Sequence, residues 1–241
     1  MSSKQGSKDK FHRRVLESKA GILAIFTTVV ISVGGIAEIL PMFTAAAGPE
    51  KPDWAQPYTP LEVAGRDIYI REGCYVCHSQ MVRPMRAEML RYGEWSRAGE
   101  YRYDYPFLLG SRRIGPDLQR VGGKYPDAWH YEHMRDPRSV TAGSLMPSYH
   151  WLLERRIDPS DVQASVRALK RVGTPYTDGD VESVPASIQS QGQEIVQRLA
   201  GAGITAEPDL EIIALIAYLQ RLGRDGTRAV EAGLTAEVEP Q

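Results

Sequence analysis

Cys74-Tyr75-Val76-Cys77-His78 is a C-x-x-C-H string, and it holds both cysteines of the chain. Two thiols separated by two residues at a bent helix end reach the two vinyl groups on one edge of a porphyrin. The imidazole of the next residue is then carried under the iron, so the spacing is that of c-type haem attachment. Rival uses of such a pair need different surroundings. A redox dithiol of the thioredoxin kind sits in a βαβ unit, and no period-2 runs of useful length occur here. A zinc pair needs two further ligands with their own tight spacing, for which His130 and His133 are the one candidate pair.

The pattern around the string predicts helices. Upstream, Thr59-Pro60-Leu61-Glu62 is a capping box with proline at the first helical position. Leu61, Ala64, Gly65, Ile68 and Tyr69 then share a face, so a helix to about Gly73 delivers the chain into the cysteines. Downstream, residues 79–128 are dense in Arg, Tyr, Gly and Pro and predict irregular chain with short helical turns. Further helices are predicted at 127–135, ended by Asp136-Pro137, at 158–171 and at about 187–200. The last, at about 208–222, carries a stripe of Leu210, Ile213, Ala214, Ala217, Tyr218 and Leu222. The stretch from Gly223 is polar and lacks a core pattern.

A haem held by His78 needs a sixth ligand. Met81, Met85 and Met89 follow His78 too closely to cross to the opposite face, Met134 falls within a predicted helix, and Met1 and Met42 lie outside the domain. Met146, in the irregular Ser144-Leu145-Met146-Pro147, is the candidate, with His150 in reserve. His/Met ligation leaves no open position, which suits a carrier of electrons rather than a binder of oxygen. Between the two ligands stands Gly115-Pro116-Asp117-Leu118. Small c-type cytochromes set such a proline carbonyl, here that of Pro116, against the imidazole Nδ1–H of the proximal ligand.

Composition bounds the rest. The 241 residues carry 29 basic and 30 acidic side chains, a formal net charge of −1, which excludes a chain-wide basic footprint for nucleic acid. A mean hydropathy of −0.34 excludes a polytopic membrane protein but not a single span. One stretch qualifies: AGILAIFTTVVISVGGIA (20–37) is uncharged, and the apolar run continues past Glu38 to Phe43. A helix over 20–43 rises about 36 Å, enough for a hydrocarbon core of about 30 Å. The basic arm before it, six basic against two acidic residues in 1–19, places that end in the cytoplasm. Ala45-Ala46-Ala47 resembles a signal-peptidase site, but an apolar stretch above 20 residues exceeds a signal core of about 7–15. The expected organisation is a basic arm (1–19), a transmembrane helix (20–43), a linker (44–58), a haem domain (59–222) and a polar tail (223–241).

Long strings make the chain closely resemble the mono-haem subunit II of cbb3-type cytochrome c oxidases. They are GRDIYIREGCYVCHSQMVRP (65–84), RYGEWSRAGEYRYDYPFLLGS (91–111), RIGPDLQRVGGKYPDAWH (113–130), DPRSV (136–140), LMPSYHWL (145–152), RVGTPYTDGD (171–180) and IALIAYLQRLG (213–223). The resemblance implies a mainly α protein, with one N-terminal transmembrane helix and a cytochrome c-like helical domain bearing long irregular insertions. It implies a bacterial inner membrane with the haem domain in the periplasm. It implies one covalent haem c on Cys74 and Cys77, with His78 and Met146 on the iron. The partners implied are a haem–copper catalytic subunit, which reduces oxygen to water and pumps protons, and a di-haem cytochrome c subunit or soluble cytochrome c as donor. The family also places a calcium ion at the interface with the catalytic subunit, for which Ser111 is the candidate contact. The surplus between His78 and Gly115, rich in arginine and aromatics, is expected to dock on the catalytic subunit. Two other readings use the same haem ligands: the small subunit of a nitric oxide reductase and a free-standing membrane-anchored shuttle. A haem-based sensor instead needs a labile sixth ligand.

Overall fold

The computed structural model describes residue 13, residues 18–44 and residues 52–233. Most of the basic arm, linker residues 45–51 with the Ala45–Ala47 string, and residues 234–241 lie outside the described residues. The chain divides into two units.

The first unit carries α1 (Ala20–Thr44). Among its described side chains, Ile25, Phe26, Val30 and Val33 are exposed. Residues Ala20–Ile39 are long and apolar enough to cross a membrane. A helix that is apolar on every side requires a non-aqueous or protein surround.

The second unit is helical, with no strand among the described residues and a single isolated bridge between Arg156 and Leu210. It runs α2 (Pro60–Arg71), α3 (Arg86–Tyr92), α4 (Asp127–Arg135), α5 (Pro137–Val140), α6 (Pro159–Arg171), α7 (Asp178–Glu182), α8 (Val184–Ala200), α9 (Glu211–Arg221) and α10 (Arg224–Glu231). Single 3-10 turns occur at Cys74–Val76, Ala98–Tyr101 and His150–Leu153. The mainly α architecture is therefore as the sequence predicts.

Its centre is the crossing of α2 and α9. The Thr59 hydroxyl accepts from Glu62 N at 3.4 Å while the Glu62 carboxylate accepts from Thr59 N at 2.8 Å, so the capping box starts α2 as read. At Gly65 the backbones meet: an added Cβ would lie 1.9 Å from the Ala214 carbonyl oxygen. That approach lets Ile212, Ile213, Leu215, Ile216 and Tyr218 become almost fully buried. Each such aliphatic side chain contributes about 2 kcal/mol relative to exposure. Tyr69 and Tyr58 tilt onto the Tyr218 ring at centroid distances of 5.4 and 5.8 Å.

Two stretches depart from expectation. Helix α8 starts at Val184 rather than near 187, with Pro185 in its first turn, where a missing N–H costs nothing. The stretch after Gly223, polar and without a core pattern, contains α10, which buries Asp225, Gly226 and Ala229. It is fastened by polar contacts: the Asp225 carboxylate accepts from Gln56 N at 3.0 Å and pairs with Arg221 and Arg228.

The long segment 79–113 is irregular but well tied. Arg66 of α2 pairs with Asp104 at 2.6 Å, both buried, and donates to the carbonyls of Tyr105 and Pro106. Tyr101 OH donates to Gln80 O at 2.7 Å, and the Gln80 amide reaches Tyr218 OH at 3.0 Å.

Candidate haem centre

Helix α2 ends at Arg71, and the chain turns at Gly73 with φ +71, a left-handed conformation that glycine takes without penalty. The turn that follows is tight. Cys77 N and His78 N both donate to Cys74 O, at 3.1 and 3.0 Å. Both thiols and the imidazole therefore leave one turn at the end of a core helix.

Residues 109–118 strap that turn. Gln80 N donates to Leu109 O at 2.8 Å, Gly115 N to Cys77 O at 3.0 Å and Leu118 N to Ser79 O at 2.8 Å. The strap fits because two of its residues lack side chains. At Gly110, φ +67, an added Cβ would lie 2.9 Å from His78 O; at Gly115 it would lie 2.2 Å from His78 Cε1. Gly115 thus lies against the imidazole itself.

His78 Nδ1 is 2.8 Å from Pro116 O. A carbonyl only accepts, so this contact puts the ring proton on Nδ1 and leaves Nε2 with its lone pair. Burial lowers the proton affinity of the ring, the Pro116 bond and Asp117 opposing it, which favours the neutral imidazole a metal requires. Asp117 braces the same turn, accepting from Ser79 Oγ at 2.6 Å, Met81 N at 2.8 Å and Gln119 N at 2.9 Å. Arg113 closes the cluster, paired with Glu88 at 2.8 Å.

The cysteines are unbonded to one another. Burial, and then the Glu72 charge, push the Cys74 thiol up to about 12. A catalytic or redox dithiol depends on a depressed thiol pKa, so the environment disfavours that use. Among the described residues no three His, Cys, Asp or Glu side chains gather as a metal cluster, and the zinc reading through His130 and His133 lacks its ligand set.

Met146 is half-buried and packs against the hydrophobic core, while Leu145 beside it is exposed. Its loop is anchored to the end of α4, where Tyr149 N donates to Met134 O at 2.8 Å and Ser148 Oγ to Arg135 O at 2.5 Å. Burial, and then the nearby Cys74 and Cys77 sulfurs, raise the Tyr149 phenol to about 12. His133 of α4 is held below the usual histidine range by burial and then by His78. Trp129 stacks on its ring at 4.5 Å. The reserve candidate His150 is exposed, with its ring edge-on to Trp151.

These residues fit a covalently held haem. The imidazole is oriented with its Nε2 lone pair left over, burial keeps the Cys74 thiol neutral, and glycine lies where a side chain would displace the ring. Apolar Val76, Ile114 and Leu145, each next to or within one residue of a candidate contact, are exposed 44%, 65% and 83% and call for cover. Ser111 is exposed beside Gly110, so a cation there would take most of its ligands from outside the chain.

The strap also shows what sequence reading left out: the contact of Gly115 with the ring, the bracing role of Asp117 and the placement of Tyr149. Glycine next to the G-P-D-L proline was the available signal for the first; the other two depend on long-range contacts. The model of one protein family, described as cytochrome C oxidase, mono-heme subunit/FixO, matches residues 13–225. No curated protein matches the chain.

Proposed function

The chain belongs to the mono-haem subunit family of cytochrome c oxidases, and from that membership we propose that it is the electron-relay subunit of a cbb3-type haem–copper oxidase. Its haem c, when bound, supplies one-electron redox chemistry between ferric and ferrous iron. Cys74 and Cys77 would hold that group by two thioethers, and His78 Nε2 and Met146 Sδ would ligate its iron. The observation that carries this reading is the His78–Pro116 contact of 2.8 Å with Gly115 against the ring. It fixes the imidazole tautomer and orientation, raises its basicity and leaves little freedom for reorganisation when charge changes.

Helix α1 anchors the subunit in a bacterial inner membrane, with the arm 1–19 cytoplasmic and the domain 59–222 periplasmic. The relay takes electrons from a di-haem cytochrome c subunit or a soluble cytochrome and passes them towards the low-spin haem b of the catalytic subunit, where oxygen is reduced to water and protons are pumped. Segment 83–113 covers the catalytic subunit. Arg83, Arg86, Arg91 and Arg112 are exposed there with Leu90 and Phe107, a composition favoured at interface centres. Ser111, on the same exposed stretch, would offer its hydroxyl to a calcium ion at that interface.

Purification of the chain with whatever accompanies it tests the proposal. The expected result is a complex with a haem–copper subunit, cyanide-sensitive oxygen uptake and a reduced c-type spectrum. A lone monomer in mild detergent would favour the shuttle instead, and nitric oxide turnover without oxygen uptake would favour the reductase.

A further inference from the structure

Between α3 and the turn 113–116 lies a cavity of about 410 Å³ whose lining is unevenly charged. Arg83, Arg91 and Arg113 face it with a single carboxylate, that of Glu88, and Tyr92 and Gly115–Pro116 complete the wall. Glu88 is already committed, accepting from Arg113 and from Arg83. Arg113 also donates from Nε to Ser79 Oγ at 2.7 Å and from a terminal nitrogen to Met81 O at 2.8 Å, so two of its three nitrogens are engaged within the fold. Arg91 differs. Among the described residues no carboxylate pairs with it, and its guanidinium stands 5.2 Å from the Tyr92 ring centroid. The cavity therefore presents a planar, preorientated cation with its bidentate hydrogen-bonding edge unspent.

Its rim is apolar. Met85 and Ile114 border the opening and are 49% and 65% exposed, and Leu90, one residue from Arg91, is 78% exposed. An inorganic anion would satisfy the charge and leave that rim in water. An acidic side chain on a packed protein surface satisfies both, and arginine, tyrosine and methionine are the residues enriched at such centres. The wall is also Gly115–Pro116, and the Pro116 carbonyl accepts from the ring of His78, so an occupant sits close to that imidazole.

We propose that this cavity receives an aspartate or glutamate side chain of the haem–copper catalytic subunit, paired with Arg91 and enclosed by Met85 and Ile114. The assignment rests on the reading of the chain as that subunit's electron donor, and it names the contact through which the two are held in register. Pairing across a desolvated interface makes Arg91 far more important than the exposed arginines around it.

The test uses the full-length chain with its oxidase partners. A photo-crosslinking amino acid replaces Met85, and the purified complex is irradiated and its adducts sequenced. The expected adduct joins this chain to the catalytic subunit through a peptide containing Asp or Glu. In the same background, Arg91→Glu lowers the adduct yield at least about tenfold, and Arg91→Lys retains a larger share of it. Adducts with lipid or with another subunit, a captured peptide without a carboxylate, or an undiminished yield in Arg91→Glu would each overturn the proposal. Failure of the relay reading would look different: the same samples would carry no covalent haem on Cys74 and Cys77.

Discussion

Replacing Gly115 with alanine is the sharpest perturbation the haem centre allows. The added methyl would lie 2.2 Å from His78 Cε1, 2.7 Å from Nδ1 and 2.8 Å from Nε2. Carbon atoms settle at about 3.5–4.0 Å, so ring and backbone must part by roughly 1.5 Å. Neither yields freely. Gly115 N is bonded to Cys77 O at 3.0 Å, Leu118 N to Ser79 O at 2.8 Å, and His78 Nδ1 lies 2.8 Å from Pro116 O. A movement of that size takes the Nδ1 contact beyond hydrogen-bond length. Overpacking costs about 1–3 kcal/mol. Loss of the bond orienting a metal-bound histidine costs about 10–100-fold in affinity, or about 1.4–2.8 kcal/mol. The expected outcome is a complex with less covalent haem per chain, and a raised, broadened midpoint potential in what remains, since an imidazole without the Pro116 bond is a weaker donor to ferric iron. Haem-stained gels and a redox titration of the purified complex measure both. Gly179→Ala is the control, since its Cβ meets only Thr177 Oγ1 at 3.6 Å. Wild-type haem content and potential in Gly115→Ala would mean that Gly115 does not hold the His78 ring in place.

Met146→Ala is expected to abolish the red-end charge-transfer band of sulfur-ligated ferric haem while covalent attachment persists; an unchanged band in the oxidised spectrum would place the sixth ligand elsewhere. Gly65→Ala would put a Cβ 1.9 Å from the Ala214 carbonyl oxygen, and forcing α2 from α9 should cost about 3 kcal/mol. At about 2–4 °C per kcal/mol, calorimetry should show the melting of this domain fall by roughly 6–12 °C. Acid should destabilise in two windows. Burial depresses His130 from 6.5 to about 4, so the unfolded chain binds its proton first, and stability present above 6.5 is lost as pH falls towards 4. Arg113, and then Arg83, hold Glu88 at about 2 against an ordinary 4.5, so its contribution is lost between 4.5 and 2. His130→Leu should flatten the first window and leave the second, as read from unfolding midpoints across pH.

Local signals in the sequence carried the helices that begin with a cap. Thr59-Pro60-Leu61-Glu62 and Asp158-Pro159 open α2 and α6 where the pattern puts them, because capping depends on neighbours a few residues apart. The apolar stripe of α9 was legible for the same reason. Helix α10 was not, since Asp225 holds it through Gln56, Arg221 and Arg228, and residue 56 lies 169 positions away. The arginine-rich segment shows the same limit. Counted in sequence it is a uniform interface, yet in space Arg113 neutralises Glu88 and Asp117 inside the fold, while Arg91 faces outward. The haem centre was legible as far as its spacing reached. C-x-x-C-H and G-P-D-L are local strings, but that Gly115 touches the ring and Tyr149 stands near the thiols follows only from the strap and the α4 anchor.

The central claim is that Cys74 and Cys77 are both consumed by one haem. Peptide mass spectrometry of the purified complex, after alkylation of free thiols, tests it most directly. The peptide containing Cys74-Tyr75-Val76-Cys77-His78 is expected to carry one haem and no alkyl group. Recovery of that peptide alkylated at both cysteines, from a complex that still shows a c-type spectrum, would contradict it.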